Sequence, residues 1–264
     1  MSRERFFLRL PMLSLTLFCG CVPELCSSPG RQGRTQYAYA GPDCLLGCPA
    51  RAPLLVGIRE PVSVSTDLAA PTTTRSASPG VLSVEPGEVR QRCCTTGDGG
   101  TRCLTLSESA AQCTARGGVV RTQEIVTVVA NAAGSADLET RDPTGALVDS
   151  FGMTVAAAAS LRVEVSAAGR RREVPPGEAV TLSGDTSGLV LTLLTGDGRA
   201  LHAPRALSVT SSDPRVVQTD VAEGAVAGMV SSGAIVGLRP VGSGRATLRV
   251  VNGGLVREVE VIAP

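Results

Sequence analysis

Cys93, Cys94, Cys103 and Cys113 are the residues whose type and spacing most directly suggest chemistry. Thiols bridge in pairs, and four thiolates can hold Zn²⁺ tetrahedrally. This group lacks the paired C-x-x-C knuckles of zinc sites, and outside the cytoplasm oxidised sulfur is the default, so two disulfides are the expectation. Adjacent Cys93 and Cys94 would close a strained ring with each other. Each is expected to pair with Cys103 or Cys113, in either of two arrangements. Cys26, Cys44 and Cys48 are the remaining disulfide candidates and leave one thiol over, to bridge to this group, to another molecule, or to stay buried and free. Cys44-Leu-Leu-Gly-Cys48 is C-x₃-C, one residue longer than the thioredoxin-type redox motif.

Other reactive residues are sparse. His202 is the single histidine, beside Ala203-Pro204, and reads as a solvated loop side chain. No G-x-S-x-G elbow, H-E-x-x-H pair or Walker loop occurs. Asp142, Asp197 and Asp213 stand in turn contexts, where carboxylates accept backbone hydrogen bonds. Arg170-Arg171-Arg172 reads as a charged hairpin edge that discourages edge-to-edge pairing. No catalytic residue, metal site or cofactor is therefore expected. With 25 basic and 24 acidic residues, no electrostatic case exists for nucleic acid as a partner.

The first twenty residues read as a signal peptide: Arg3, Arg5 and Arg9, then an apolar run over 10–18 that is too short to cross a bilayer. Phe18-Cys19-Gly20-Cys21 resembles the lipobox of bacterial lipoproteins, which implies cleavage before Cys21 and acylation of it. Several acyl chains anchor stably where one does not, at about 0.8 kcal/mol per buried methylene. Val22 after the anchor, rather than Asp, implies the outer membrane of a Gram-negative cell. The alternative is ordinary secretion with Cys21 unmodified. Removing Arg3, Arg5, Arg9 and Glu4 from 25 basic and 24 acidic residues leaves 22 against 23. The aromatics left are Tyr37, Tyr39 and Phe151, too few for a sugar platform or a single-stranded nucleic-acid site.

Strands are the elements that carry these residues. Residues 21–52, rich in Pro, Gly and Ser, read as a lipidated tether, part of which folds back on the first domain or forms a small disulfide-closed knot. Downstream, one pattern occurs twice. Ser-Ala-Ser-Pro-Gly-Val-Leu-Ser-Val (76–84) resembles Ser-Ser-Asp-Pro-Arg-Val-Val (211–217), and Gly-Ser-Ala-Asp-Leu-Glu (134–139) matches Gly-Arg-Ala-Thr-Leu-Arg (244–249). Ala136, Leu138 and Thr140 fall where Ala246, Leu248 and Val250 fall, on one face of a strand. The first copy is longer by a segment between residues 88 and 124 that carries the four cysteines and a short helix near 107–116. The pattern implies two tandem antiparallel β-sandwiches, an all-β Ig-like fold: residues 53–157 with a Cys-rich insertion at about 90–123, and residues 158–264.

Residues 161–262 resemble the bacterial Ig-like group 2 (BIG2) family in Val-Pro-Pro-Gly-Glu (174–178), Thr-Gly-Asp-Gly (195–198), Val-Thr-Ser-Ser-Asp-Pro (209–214) and Gly-Ser-Gly-Arg-Ala-Thr-Leu-Arg-Val (242–250). Residues 54–155 resemble it faintly. The resemblance implies a spacer or recognition module on a bacterial surface, without catalytic residues. The expectation is a non-enzymatic, lipid-anchored envelope protein whose partners are the membrane, through its lipid, and another envelope or surface protein. A small-ligand binder with a pocket between the domains is the alternative, and an enzyme a more distant one.

Overall fold

The computed structural model describes residues 27–40, 48–68, 70–87, 90–95, 101–103, 110–167, 170–183, 186–203, 207–220, 227–230 and 233–264. The signal segment, Cys21, Cys26 and Cys44 lie outside the described residues. Apolar residues at alternate positions give the strands Arg59–Thr66, Gly134–Arg141, Ser160–Ala167 and Gly244–Asn252 one buried face each. In the strand Arg59–Thr66, Glu60, Val62, Val64 and Thr66 point inward.

The first sandwich contains β1 (Ser28–Pro29), β2 (Thr35–Tyr39), β3 (Cys48–Pro49), β4 (Leu54–Leu55), β5 (Arg59–Thr66), β6 (Thr73–Ser76), β7 (Leu82–Glu85), β8 (Arg90–Thr95), β9 (Thr101–Cys103), helix α1 (Ala110–Ala115), β10 (Val119–Ala130), β11 (Gly134–Arg141) and β12 (Leu147–Ala156). One sheet runs β1-β2-β5-β10-β8-β9, with β3 also on β2 and β7 also on β10; the other runs β4-β12-β11-β6. Between them lie Tyr37, Val62, Val64, Leu82, Val126, Val128, Leu138 and Met153.

The second sandwich contains β13 (Ser160–Ala167), β14 (Arg170–Glu173), β15 (Val180–Thr181), β16 (Thr186–Leu194), β17 (Leu207–Ser211), β18 (Val217–Thr219), β19 (Ala227–Val230), β20 (Gly233–Pro240), β21 (Gly244–Asn252) and β22 (Leu255–Ala263). Its sheets run β14-β13-β16-β20-β18, with β19 also on β20, and β15-β22-β21-β17. Gly253 and Gly254, both at positive φ, make the two-residue turn that joins β21 to β22.

The repeat extends to individual bonds. In the first copy the N–H groups of Val81 and Leu82 both donate to Ser78 O; in the second those of Val216 and Val217 both donate to Asp213 O. Leu138 pairs with Ser76 as Leu248 pairs with Ser211. Gly134 (φ 151°) and Gly244 (φ 138°) occupy a backbone region that other residues rarely enter. A Cβ at either would stand 3.1 Å from Val81 or 3.2 Å from Val216. The matched glycines thus seat the matched valines.

Strand for strand, β13 to β22 correspond to β2 to β8 and β10 to β12. The first copy is complete only when residues expected in the tether are counted. Tyr37 and Tyr39 are fully buried, and β2 pairs with β5 over its whole length. The packed structure therefore begins well before residue 53, with β1 and β2 inside the range 21–52. Asp149 captures the turn at 30–34, its carboxylate accepting the N–H groups of Gln32, Arg34 and Thr35 at 2.8–2.9 Å. The Tyr37 hydroxyl bonds Thr140 Oγ1 at 2.8 Å, and its ring stacks on Phe151. Burial pushes the Tyr37 phenol up to about 12.

Candidate functional site

Two places hold side chains beyond what a plain sandwich needs. The first is the excursion between β8 and β10. In the second copy the equivalent strands, β19 and β20, are joined across residues 231–232; in the first the chain forms β9 and α1 before entering β10. β9 pairs back on β8, with Cys93 opposite Cys103, Cys94 opposite Arg102 and Thr95 opposite Thr101. A disulfide joins Cys94 to Cys113, Cα atoms 5.7 Å apart, and so pins α1 to the sheet. Both sulfurs are buried. Gly117 at positive φ ends the helix, and the Gly118 N–H returns to Cys113 O. A Cβ on Gly118 would come within 2.6 Å of the Cys94 sulfur, so the Gly-Gly pair both stops the helix and makes room for the bridge.

This bridge selects between the two expected arrangements for Cys94. It also consumes two of the four thiolates that a zinc site would need. Cys93 and Cys103 remain opposite each other in the ladder. Cys48 stands on β3 across from Tyr39, in register with a different edge of the sheet. Among the described residues, no group of three metal-ligating side chains occurs. The helix seen is Ala110–Ala115, within the expected 107–116; residues 104–109 lie outside the described residues.

The second place is the contact between the sandwiches, and here the expectation for His202 is corrected. His202 is 2% exposed, held between the two units rather than solvated. Its ring stacks flat on Tyr39, centroids 3.9 Å apart. Its Nε2 approaches Oε1 of fully buried Glu60 to 3.2 Å. That approach is off the hydrogen-bond line, so Nε2 and both Glu60 carboxyl oxygens are buried side by side without an aligned hydrogen bond. Backbone bonds lock the same residue: the His202 N–H donates to Pro53 O at 2.8 Å, and Leu55 N–H donates to His202 O at 3.2 Å. The Tyr39 hydroxyl donates to Ala52 O at 2.8 Å. Burial, and then the Glu60 carboxylate, hold the Tyr39 phenol well above its usual range. Leu55 belongs to the core of the second sandwich, and Ile58 packs against both cores.

Sequence reasoning missed Glu60, although a signal existed. It shares the inward face of β5 with Val62 and Val64, and an acid in an apolar row needs a partner. Nothing local pointed to His202, since its partners come from the other sandwich.

The three turn aspartates behave as expected. Thr144 Oγ1 and the backbone N–H groups of Thr144 and Ala146 donate to Asp142. Thr195 bonds Asp197, and Arg215 pairs with Asp213. Each carboxyl is held below its usual range, chiefly by those side-chain bonds. β14 is an exposed edge strand, and its Arg172 pairs with Glu178.

No family model matches the chain, and no curated protein sequence does. The fold is Ig-like, two sandwiches in tandem, antiparallel except where β4 joins β12 and β15 joins β22 in parallel. Among solved structures the chain is similar to domains 4 and 5 of the S-layer protein SbsC, at 16% identity and TM-score 0.27, over 73% of this chain and 75% of that one. It is similar to InvD of Yersinia pseudotuberculosis at 13% identity and TM-score 0.28, over 81% and 55%. For the D0-D1 domain of Intimin the values are 10% and 0.24, over 81% and 92%.

Proposed function

We propose that this chain is a non-enzymatic cell-envelope module, anchored through lipid on Cys21, that carries a cysteine-pinned recognition element on a stiff pair of sandwiches. The observation that carries this reading is the excursion through β9 and α1. It occurs in one of two otherwise matching copies, and it is covalently tied by Cys94–Cys113. A bridge lowers the entropy cost of ordering a loop on binding, which favours recognition there over the two-residue connection at the same place in the second copy. The partner class is another envelope or surface protein, and the compartment the outer membrane of a Gram-negative cell. A second bridge, Cys93–Cys103, agrees with their register in the β8–β9 ladder.

The second unit, 158–264, is taken as a divergent relative of the BIG2 family on its turn motifs at 174–178, 195–198 and 209–214. The first is taken as 27–157, enlarged from 53–157 by β1 to β3. A ligand pocket between the units is disfavoured, because Tyr39, Leu55, Glu60 and His202 fill that contact.

The test replaces residues 96–118 with Ser-Ser, as at Ser231-Ser232, in the full chain. The variant should keep its β-sheet circular dichroism and lose the cross-links that the parent forms with envelope proteins in situ. Unchanged cross-links on a folded variant would remove the excursion from the function.

A further inference from the structure

Three alanines, Ala157, Ala158 and Ala159, are all the chain that runs between the end of β12 and the start of β13. Motion between domains is the default where little else joins them. Here the joint is crossed a second time, by residues 53–58. We infer that this segment is a strap that locks the two sandwiches into one rigid body and leaves no hinge between them. The lock needs neither the lipid anchor nor the excursion, and its failure would leave both standing.

Neighbouring residues of the strap serve opposite sides of the joint. β4 pairs in parallel with β12, Leu54 beside Val155 and Leu55 beside Ala156. On its other side Leu54 bridges to His202 of the second sandwich, also in parallel. The His202 N–H donates to Pro53 O and the Leu55 N–H to His202 O. The sheet β4-β12-β11-β6 therefore runs on into the second unit through backbone bonds. Side chains alternate along a strand, and fully buried Leu54 belongs to the first core while Leu55 belongs to the second. Leu55 reaches the turn at Gly253, where an added Cβ would stand 3.1 Å from Leu55 Cδ2 and 2.7 Å from Leu193 Cδ1. Gly57, at φ 87°, then turns the chain back. Its N–H donates to Ala130 O, the Ile58 N–H donates to Leu55 O, and Ile58 packs against both cores.

The second copy separates what the sandwich needs from what the joint needs. β15 pairs in parallel with β22 as β4 does with β12. The Leu182 N–H donates to Ile262 O as the Val56 N–H donates to Ala156 O. These bonds make Leu55 and Thr181 equivalent, and Thr181 is exposed. The sandwich thus closes with a polar, solvated residue at that position, and the leucine of the first copy is there for the joint. Swivelling about the three alanines would bring Leu55 into water and break both backbone bonds to His202.

Single-molecule energy transfer in the full chain tests the lock, with dyes carried on non-natural side chains at Leu147 and Val241. Both positions are exposed, and β12 and β21 run from beside them to the joint. The expected result is one narrow distance population. Leu55→Thr combined with His202→Ala should broaden that population while the β-sheet circular dichroism is kept. A broad population in the unaltered protein overturns the lock, and so does a folded double variant whose population stays narrow. Leu55→Thr alone gives the first copy the residue that the second already carries, and decides the matter should the double variant not fold. It should broaden the population to a lesser degree, and an unchanged width overturns the strap.

Discussion

The two sandwiches differ less in their cores than at one edge of one sheet. β18 and β19 line β20 as β7 and β8 line β10, yet only the first copy leaves that edge to build β9 and α1. The cores tolerate no such freedom. Inward positions alternate with outward ones along β5, β11 and β21, and a one-residue slip there would turn the apolar face outward. A hairpin connection at a sheet edge carries no comparable constraint, because its length changes closure entropy only slowly. Novelty is therefore cheapest where the strand ends, and a disulfide supplies the order that a core would otherwise provide.

The likeness of the copies is most severely tested at the contact that joins them. His202→Ala strands Glu60 in the interior, and chemical denaturation should register a loss of about 3–5 kcal/mol. Glu60→Gln in the same background should restore part of it, since an amide costs less to bury without a partner than a carboxylate. A pair that costs nothing when broken would mean that the two units touch without depending on each other.

The cores should respond alike. Leu138 and Leu248 are equivalent and fully buried. Leu138→Ala and Leu248→Ala should each cost about 2–5 kcal/mol, each lost from its own half in hydrogen exchange. Removing the bridge separates the copies again, because the second has no counterpart among its described residues. Cys94→Ala with Cys113→Ala should cost about 3 kcal/mol, with lost protection confined to β8, β9 and α1.

The smallest effect is a shared one. Asp142 in the first copy and Asp213 in the second have carboxyls held below their usual range by side-chain hydrogen bonds from Thr144 and Arg215. A depressed folded-state value adds stability above the unfolded carboxylate range, and that stability is lost as pH falls through the folded value. Tm should therefore decline slightly on acidification below about pH 4, and Asp142→Asn with Asp213→Asn should flatten the decline.

Much of the architecture is legible in the chain alone. The period-two runs at Ala136, Leu138 and Thr140 and at Ala246, Leu248 and Val250 are inward faces, and the Gly-rich turns fall where strands end. Residues 28–39 are harder to place, because the segment is short and polar and its alternation of Tyr37 and Tyr39 looks incidental. Their partners are remote: Tyr37 bonds a residue 103 positions away, and Gln32 one 117 positions away. The excursion is visible as cysteines and extra length, but which sulfur meets which depends on where α1 folds back.

Read residue by residue, the chain specifies two all-β sandwiches, their inward faces, their turns and the extra segment in the first copy. Those properties depend on neighbours within a few residues, and local sterics and alternation express them directly. Packing alone settles that residues 27–40 complete the first sheet, that Cys94 bridges to Cys113, and that His202 is buried against Glu60 and Tyr39. Each of these is a meeting of segments far apart in the chain, set by which edges and ends remain open once the cores have packed.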